Sequence, residues 1–223
     1  MNATDPLSSS RRRWLHALAG AAAAPYLAGL TGLASTAHAA HAHAPFGLID
    51  PLRPAPALML RWHDGHRSPL PTALKDRVTI VQTMFTGCSA TCPIQGALFD
   101  ELQQRIHKLP STDPVNARIR LLSLSIDPLS DDPAALRGWL ARFHAGDRWA
   151  AAATTPEQVD VLLDFLAGRA SGADRHTTQF AIFDTQGRFA YRTREMPPPD
   201  AVLPIAQSIG RGEHLKPTIG NAR

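Results

Sequence analysis

The apolar positions along the chain fall into two rhythms. Residues 78–85 form a β-branched, apolar run, which predicts a buried strand. Residues 118–126, rich in Leu and Ile, predict a second. Between them Ile94, Ala97, Leu98, Leu102, Ile106 and Leu109 recur at helical spacing. That helix is expected to open at Pro93, because proline is favoured at a first helical position. Asp132-Pro133 starts another helix, with Asp as cap and Leu136, Trp139, Leu140 and Phe143 inward. Thr155-Pro156-Glu157-Gln158 fits a capping box, with Val159, Leu162, Leu163 and Leu166 inward in the helix that follows. Residues 179–184 and 188–193 read as a hairpin turning through Thr185-Gln186-Gly187. Residues 200–209 make a final helix. Before all of these, residues 58–62 predict a short strand, Asp64-Gly65 a turn, and the proline-rich 40–56 an extended lead-in.

Strands that alternate with helices, closed by a hairpin and a helix, predict an α/β fold: one central mixed sheet flanked by helices. A single domain is expected over 57–215, with a short tail at 216–223. Its composition agrees, since 44% hydrophobic and 19% charged residues exclude a disordered or collagenous chain. The formal charge of +4 is too mild to require a nucleic-acid partner.

Residues 1–39 read as an address rather than as part of the fold. Ser10-Arg11-Arg12-Arg13-Trp14-Leu15 precedes an Ala-, Gly- and Leu-rich stretch, and Ala37-His38-Ala39 satisfies a small-residue cleavage rule. The opening is similar to a twin-arginine export signal. An uncleaved anchor helix and a cytosolic amphipathic segment are the alternatives. Pro25 and the Ala/Gly content make the stretch weakly apolar for an anchor. Cleavage would remove three Arg and one Asp, so the charge of +4 would fall by 2 to +2. The expected destination is a bacterial periplasm, where cysteine pairs can be oxidised. His38, His41 and His43 straddle the cleavage point; such a tract can bind metal, although an Ala/His-rich linker is the plainer reading.

Two cysteines exclude a disulfide-rich scaffold and any four-thiolate zinc or iron–sulfur site. Cys88 and Cys92 fall together between the predicted strand and the predicted helix. A helix N-terminus carries partial positive charge and favours thiolate. The pair is therefore placed to react, to form a disulfide or to hold a soft metal. Two inert core thiols are the bland alternative.

Cys88-Ser89-Ala90-Thr91-Cys92-Pro93, with Thr86 ahead of it, resembles the C-x-x-x-C-P motif of the Sco/SenC family. Asp127-Pro128 with Asp131-Asp132-Pro133 resembles a second family segment, and Asp174-Arg175-His176-Thr177 a third. Two departures stand out. Ser89 replaces a frequent proline, and Arg175 separates the acidic residue from His176. The resemblance covers about residues 56–210 and implies a thioredoxin-like fold. It also implies copper, as Cu(I) or Cu(II), held by Cys88, Cys92 and His176. It implies a periplasmic chaperone that helps assemble the copper centre of a respiratory haem–copper oxidase. The partners would be an oxidase subunit as acceptor and a periplasmic copper donor or thiol reductant. Membrane contact would arise only through the target or an uncleaved anchor.

Two thiolates favour Cu(I), while an imidazole also suits Cu(II), so this donor set can serve both states. Asp131 and Asp132 resemble an acidic surface segment of the family, and helix capping already explains their spacing. Met84 is expected to pack in the core. His63, His66, His107, His144 and His214 are expected at the surface. The rival function is a thiol–disulfide oxidoreductase that cycles the same two cysteines. Its spacing has three intervening residues where thioredoxin motifs have two.

Overall fold

The structure is a computed structural model that describes residues 44–167 and 177–213. At its centre is one sheet of eight strands. They are β1 (Gly47–Pro54), β2 (Met59–Trp62), β3 (Arg67–Pro69), β4 (Val78–Met84), β5 (Ile119–Ser125), β6 (Trp149–Ala153), β7 (Gln179–Phe183) and β8 (Arg188–Glu195). Their spatial order is β1-β8-β7-β4-β5-β6-β2-β3. β4, β5 and β6 are parallel, with Val78 beside Ile119 and Leu121 beside Trp149. The other pairings are antiparallel, so the sheet is mixed as expected.

The helices are α1 (Leu70–Leu74), α2 (Thr91–Lys108), α3 (Pro114–Arg118), α4 (Pro133–Arg142), α5 (Val159–Leu166) and α6 (Pro199–Gly210). Each face of the sheet carries its own core. On one, Ile80 and Met84 pack with Phe99 and Ile106 of α2, Trp139 of α4 and Val202 of α6. On the other, Val81 and Leu124 pack with Leu74 of α1 and Leu162 and Phe165 of α5. A strand covered on both sides has no face to leave to solvent, which is why β4 is mostly apolar and β-branched; its Gln82 is buried and donates to the Ser123 hydroxyl. Met84 is buried in this core, as expected.

α2 departs from its expected form. It begins at Thr91, so Cys92 lies inside the first turn and Pro93 follows it. Proline is tolerated there because first-turn N–H groups have no intrahelical acceptor. The buried face is Cys92, Gln95, Gly96, Phe99, Leu102, Gln103 and Ile106, while Ile94 is 56% exposed. Two buried glutamines disguised that period. Gln103 earns its place by hydrogen bonds to the carbonyls of Phe143 and His144 and from the Gly146 N–H. Gly96 lies against the Phe143 ring, where an added Cβ would come within 2.3 Å of a ring carbon.

Other elements differ from the sequence reading for local reasons. The extended segment before residue 57 pairs with β8 as the edge strand β1. β6, Trp-Ala-Ala-Ala-Ala, carries little β-propensity of its own and is defined by its pairing with β5. The short α3 is capped by Asp113, which accepts from the Val115 N–H. The capping box at Thr155 does not form. Residues Pro156–Gln158 make a 3-10 turn without a Thr155 side-chain cap, and Gln158 Oε1 accepts from the Met59 N–H at 2.9 Å. Among the described residues, no helix is long and apolar enough to cross a membrane.

Candidate metal centre

β4 and β5 are adjacent and parallel, so the loops that leave them meet at one end of the sheet. The first loop carries the cysteines. After Met84 the chain turns, with the Cys88 N–H donating to the Phe85 carbonyl at 3.2 Å. It then enters α2 at Ala90, which has no side-chain cap of its own. The Cys88 sulfur stands where a capping oxygen would, accepting from the Cys92 N–H at 3.4 Å. Thr91 Oγ1 lies 3.9 Å from the same sulfur. Both cysteines are buried, Cys88 at 6% exposure and Cys92 at 0%, at the rim of the α2-side core.

The two sulfurs differ in acidity although they share one turn. Burial pushes the Cys88 thiol up, but hydrogen bonds from the Cys92 side chain and from the Cys92 and Ala90 N–H groups outweigh it. With the Thr91 hydroxyl, they leave Cys88 below its ordinary value. Cys92 is pushed up to about 12, first by burial and then by its hydrogen bond to Cys88 and that neighbour's charge. The Phe85 backbone and the Thr91 hydroxyl only partly oppose this. Of the two, Cys88 is the one that reaches the thiolate form more easily.

The second loop contributes Asp131, which is fully buried rather than part of an acidic surface. Its carboxylate accepts from the Thr86 N–H at 3.1 Å, from the Thr86 hydroxyl and from the Ser125 hydroxyl. Arg61 donates to the carbonyls of Pro128 and Asp131, holding this loop from β2. Asp132 does cap α4, accepting from the Ala135 N–H at 2.8 Å. The paired acidic residues therefore divide their work: one caps a helix, the other anchors the start of the cysteine loop.

His176 lies outside the described residues, as do His38, His41, His43, His214 and the whole of 1–39. The chain is described again at Thr177. There Gln95, which is fully buried one turn along α2 from Cys92, donates its Nε2 to the Thr177 carbonyl at 3.4 Å. Sequence reasoning missed Gln95, since a glutamine breaks an apolar period. His66, His107 and His144 are exposed and His63 is half-buried. His66 stacks on Trp62 with centroids 5.2 Å apart and bonds Asp64 at 2.6 Å.

A mixed sheet covered on both faces, with a cysteine pair at the turn from a central parallel strand into a helix, defines a thioredoxin-like protein. The SCO1/SenC family model matches residues 63–209, and the chain belongs to that family. Solved structures share the fold. A SCO1/SenC family lipoprotein from Bacillus anthracis aligns with a TM-score of 0.60 at 18% identity, over 72% of this chain and 98% of its own. BsSco, a member of the Sco family of cytochrome c oxidase assembly proteins with a disulfide switch, gives 0.60 at 21%, over 73% and 96%. Yeast Sco1 with copper bound gives 0.58 at 17%, over 74% and 94%. No curated protein sequence matches this chain.

Proposed function

We propose that this chain is an exported copper chaperone. It binds copper as cargo through Cys88, Cys92 and His176 and helps assemble the copper centre of a respiratory haem–copper oxidase. The observation that carries this reading is the cysteine pair at the head of α2, with one sulfur already collecting hydrogen bonds that favour its thiolate. Two thiolates and an imidazole suit a soft ion in either oxidation state. A set of only three protein ligands leaves a position from which an acceptor can take the ion. His176 is supported as the third ligand by the tie from Gln95 to its chain neighbour Thr177, which holds Thr177 to the helix bearing Cys92. Family membership and copper in solved relatives such as yeast Sco1 support the cargo. The arginine-led segment at residues 11–13 supports export to a periplasm, where the acceptor oxidase subunit and a copper donor or thiol reductant would meet the chain.

Titration of the reduced protein with Cu(I) tests the site. One equivalent is expected to bind, and Cys92→Ser and His176→Ala are each expected to weaken it at least about tenfold, the loss of one ligand interaction of more than about 1.4 kcal/mol. Variants that bind as tightly as wild type overturn the ligand set.

A second reading has its own observation: the thiols are split in acidity, as a nucleophile and a resolving thiol would be. In this reaction Cys88 thiolate attacks a target disulfide and expels one target thiolate. Cys92 then loses its proton and attacks the Cys88 sulfur, expelling the other. The target gains two electrons, and Cys88 and Cys92 become a disulfide. Insulin reduction that survives His176→Ala supports this role; no turnover above the uncatalysed rate removes it.

A further inference from the structure

The opposite end of the parallel strands carries a second polar construction. Thr79 on β4 is level with Arg120 on β5, and the next rung pairs Leu121 with Trp149, so Arg120 is level with Arg148 just before β6. Side chains at paired positions of a parallel sheet share a face, about 4.8 Å apart. Two arginines thus stand side by side at one level of neighbouring strands, an arrangement that like-charge repulsion disfavours. Arg77, immediately before β4, joins them around one cavity of about 250 Å³. Trp62 forms part of its apolar wall.

Several features make this a built site rather than a crowded surface. Arg120 spends Nη1 on the carbonyls of Ala117 and Ile119, and Arg148 spends Nη1 on that of Asn116. These bonds orient both guanidinium forks and leave their other N–H groups for a ligand. The Arg77 side chain makes no hydrogen bond or ion pair among the described residues. The repulsion is only partly relieved: burial first, then Arg148 and Arg77, lower the Arg120 guanidinium from its ordinary value, and Asp147 opposes them. The independent observation is Thr79, which lines the same cavity. It is 3% exposed, and its buried hydroxyl has no hydrogen-bond partner. A buried hydroxyl without a partner costs free energy unless a ligand satisfies it.

We propose that Arg77, Arg120, Arg148 and Thr79 form a binding site for a phosphate group. Three guanidiniums against the single carboxylate of Asp147 leave +2 around the cavity, which matches a dianion. Guanidinium forks fit the paired oxygens of a tetrahedral oxyanion, and the Thr79 hydroxyl adds one more donor. The seven-residue β4 separates the site from the cysteine loop by roughly 20 Å, so the ligand does not share the copper site. The group could come from inorganic phosphate or from an anionic phospholipid headgroup.

The test uses the full chain. Inorganic phosphate is titrated calorimetrically against chloride of equal ionic strength, and the protein is sedimented with phosphatidylglycerol vesicles. Saturable phosphate binding is expected, with a rise in Tm that chloride does not reproduce. Arg77→Gln removes a side chain that makes no structural bond, and is expected to weaken binding about tenfold, the worth of one charge-assisted hydrogen bond. Thr79→Val is expected to weaken it severalfold while leaving the phosphate-free Tm unchanged or higher. Vesicle binding that Arg77→Gln abolishes also supports the site and names a headgroup as the source. Binding of neither probe beyond the chloride control overturns the proposal. So does binding that is unaltered in both variants.

Discussion

The carboxylate of Asp131 accepts hydrogen bonds from both the N–H and the hydroxyl of Thr86, joining the loops that leave the two central parallel strands. Cys88 lies two residues beyond that junction. The carboxylate is fully buried, so its hydroxyl and N–H partners are what make its charge tolerable there. Asp131→Ala removes them at once and leaves Thr86 and Ser125 donors unmatched. A loss of about 3 kcal/mol in stability is expected from urea unfolding, with faster alkylation of Cys88 in the native state. Alkylation at the wild-type rate would show that the junction does not restrain the cysteine loop.

The split thiols give a pH signature in the reduced, metal-free protein. Cys88 is expected to react with iodoacetamide at lower pH than an ordinary thiol. Cys92 is expected to stay unmodified until the solution approaches its value of about 12. Peptide mapping by mass spectrometry across pH separates the two sites.

Stability should follow the same groups with opposite signs. Cys88, lowered in the fold, gives up its proton before the unfolded chain does, so its contribution grows as pH rises toward the ordinary thiol value. Cys92, raised in the fold, keeps its proton while the unfolded chain loses it. Stability is therefore expected to fall from about pH 8.5, the ordinary thiol value, toward 12. The slope is at most about 1.4 kcal/mol per pH unit. Cys92→Ala should flatten that alkaline limb in urea titrations at pH 8 to 10; an unchanged limb would assign it to other groups.

Gln95 offers a way to test the proposed third-ligand region without touching a proposed ligand. Its Nε2 bonds the Thr177 carbonyl, while its buried Oε1 has no partner. Gln95→Met removes the bond and the unsatisfied oxygen together, so stability should change by less than about 1 kcal/mol. Cu(I) affinity is expected to fall about tenfold, because the segment beside His176 is no longer tied to α2. Unaltered affinity would make Gln95 a packing residue only.

The close approach of Gly96 to Phe143 gives a packing test. Gly96→Ala gains up to about 1 kcal/mol in helix propensity. It also sets a methyl group against a ring that would stand 2.3 Å away. Overpacking of this kind costs about 1–3 kcal/mol, so net destabilisation is expected. Adding Phe143→Leu should recover part of it, and a double-mutant cycle measures the coupling.

The sequence by itself determined the alternation of elements, the burial of β4 and the place of both cysteines. These depend on local rules: a run rich in apolar and β-branched residues, a proline near a helix start, a turn at Gly187, whose φ of +73° suits glycine. It also held the family motif, since a motif is a run of neighbours. Only the tertiary structure decided the rest. The Ala-rich β6 became a strand because β5 lies beside it, and the lead-in became β1 because β8 offered an edge. Asp131 looked like a surface acid until the two parallel strands brought Thr86 and Ser125 to it. Gln95, Thr79 and the three arginines carry no periodic signal, because what they do depends on partners far along the chain. Periodicity reports which face of an element is buried. It does not report which polar group is buried there, and that choice is made by hydrogen bonds and charges that meet only when the chain has folded.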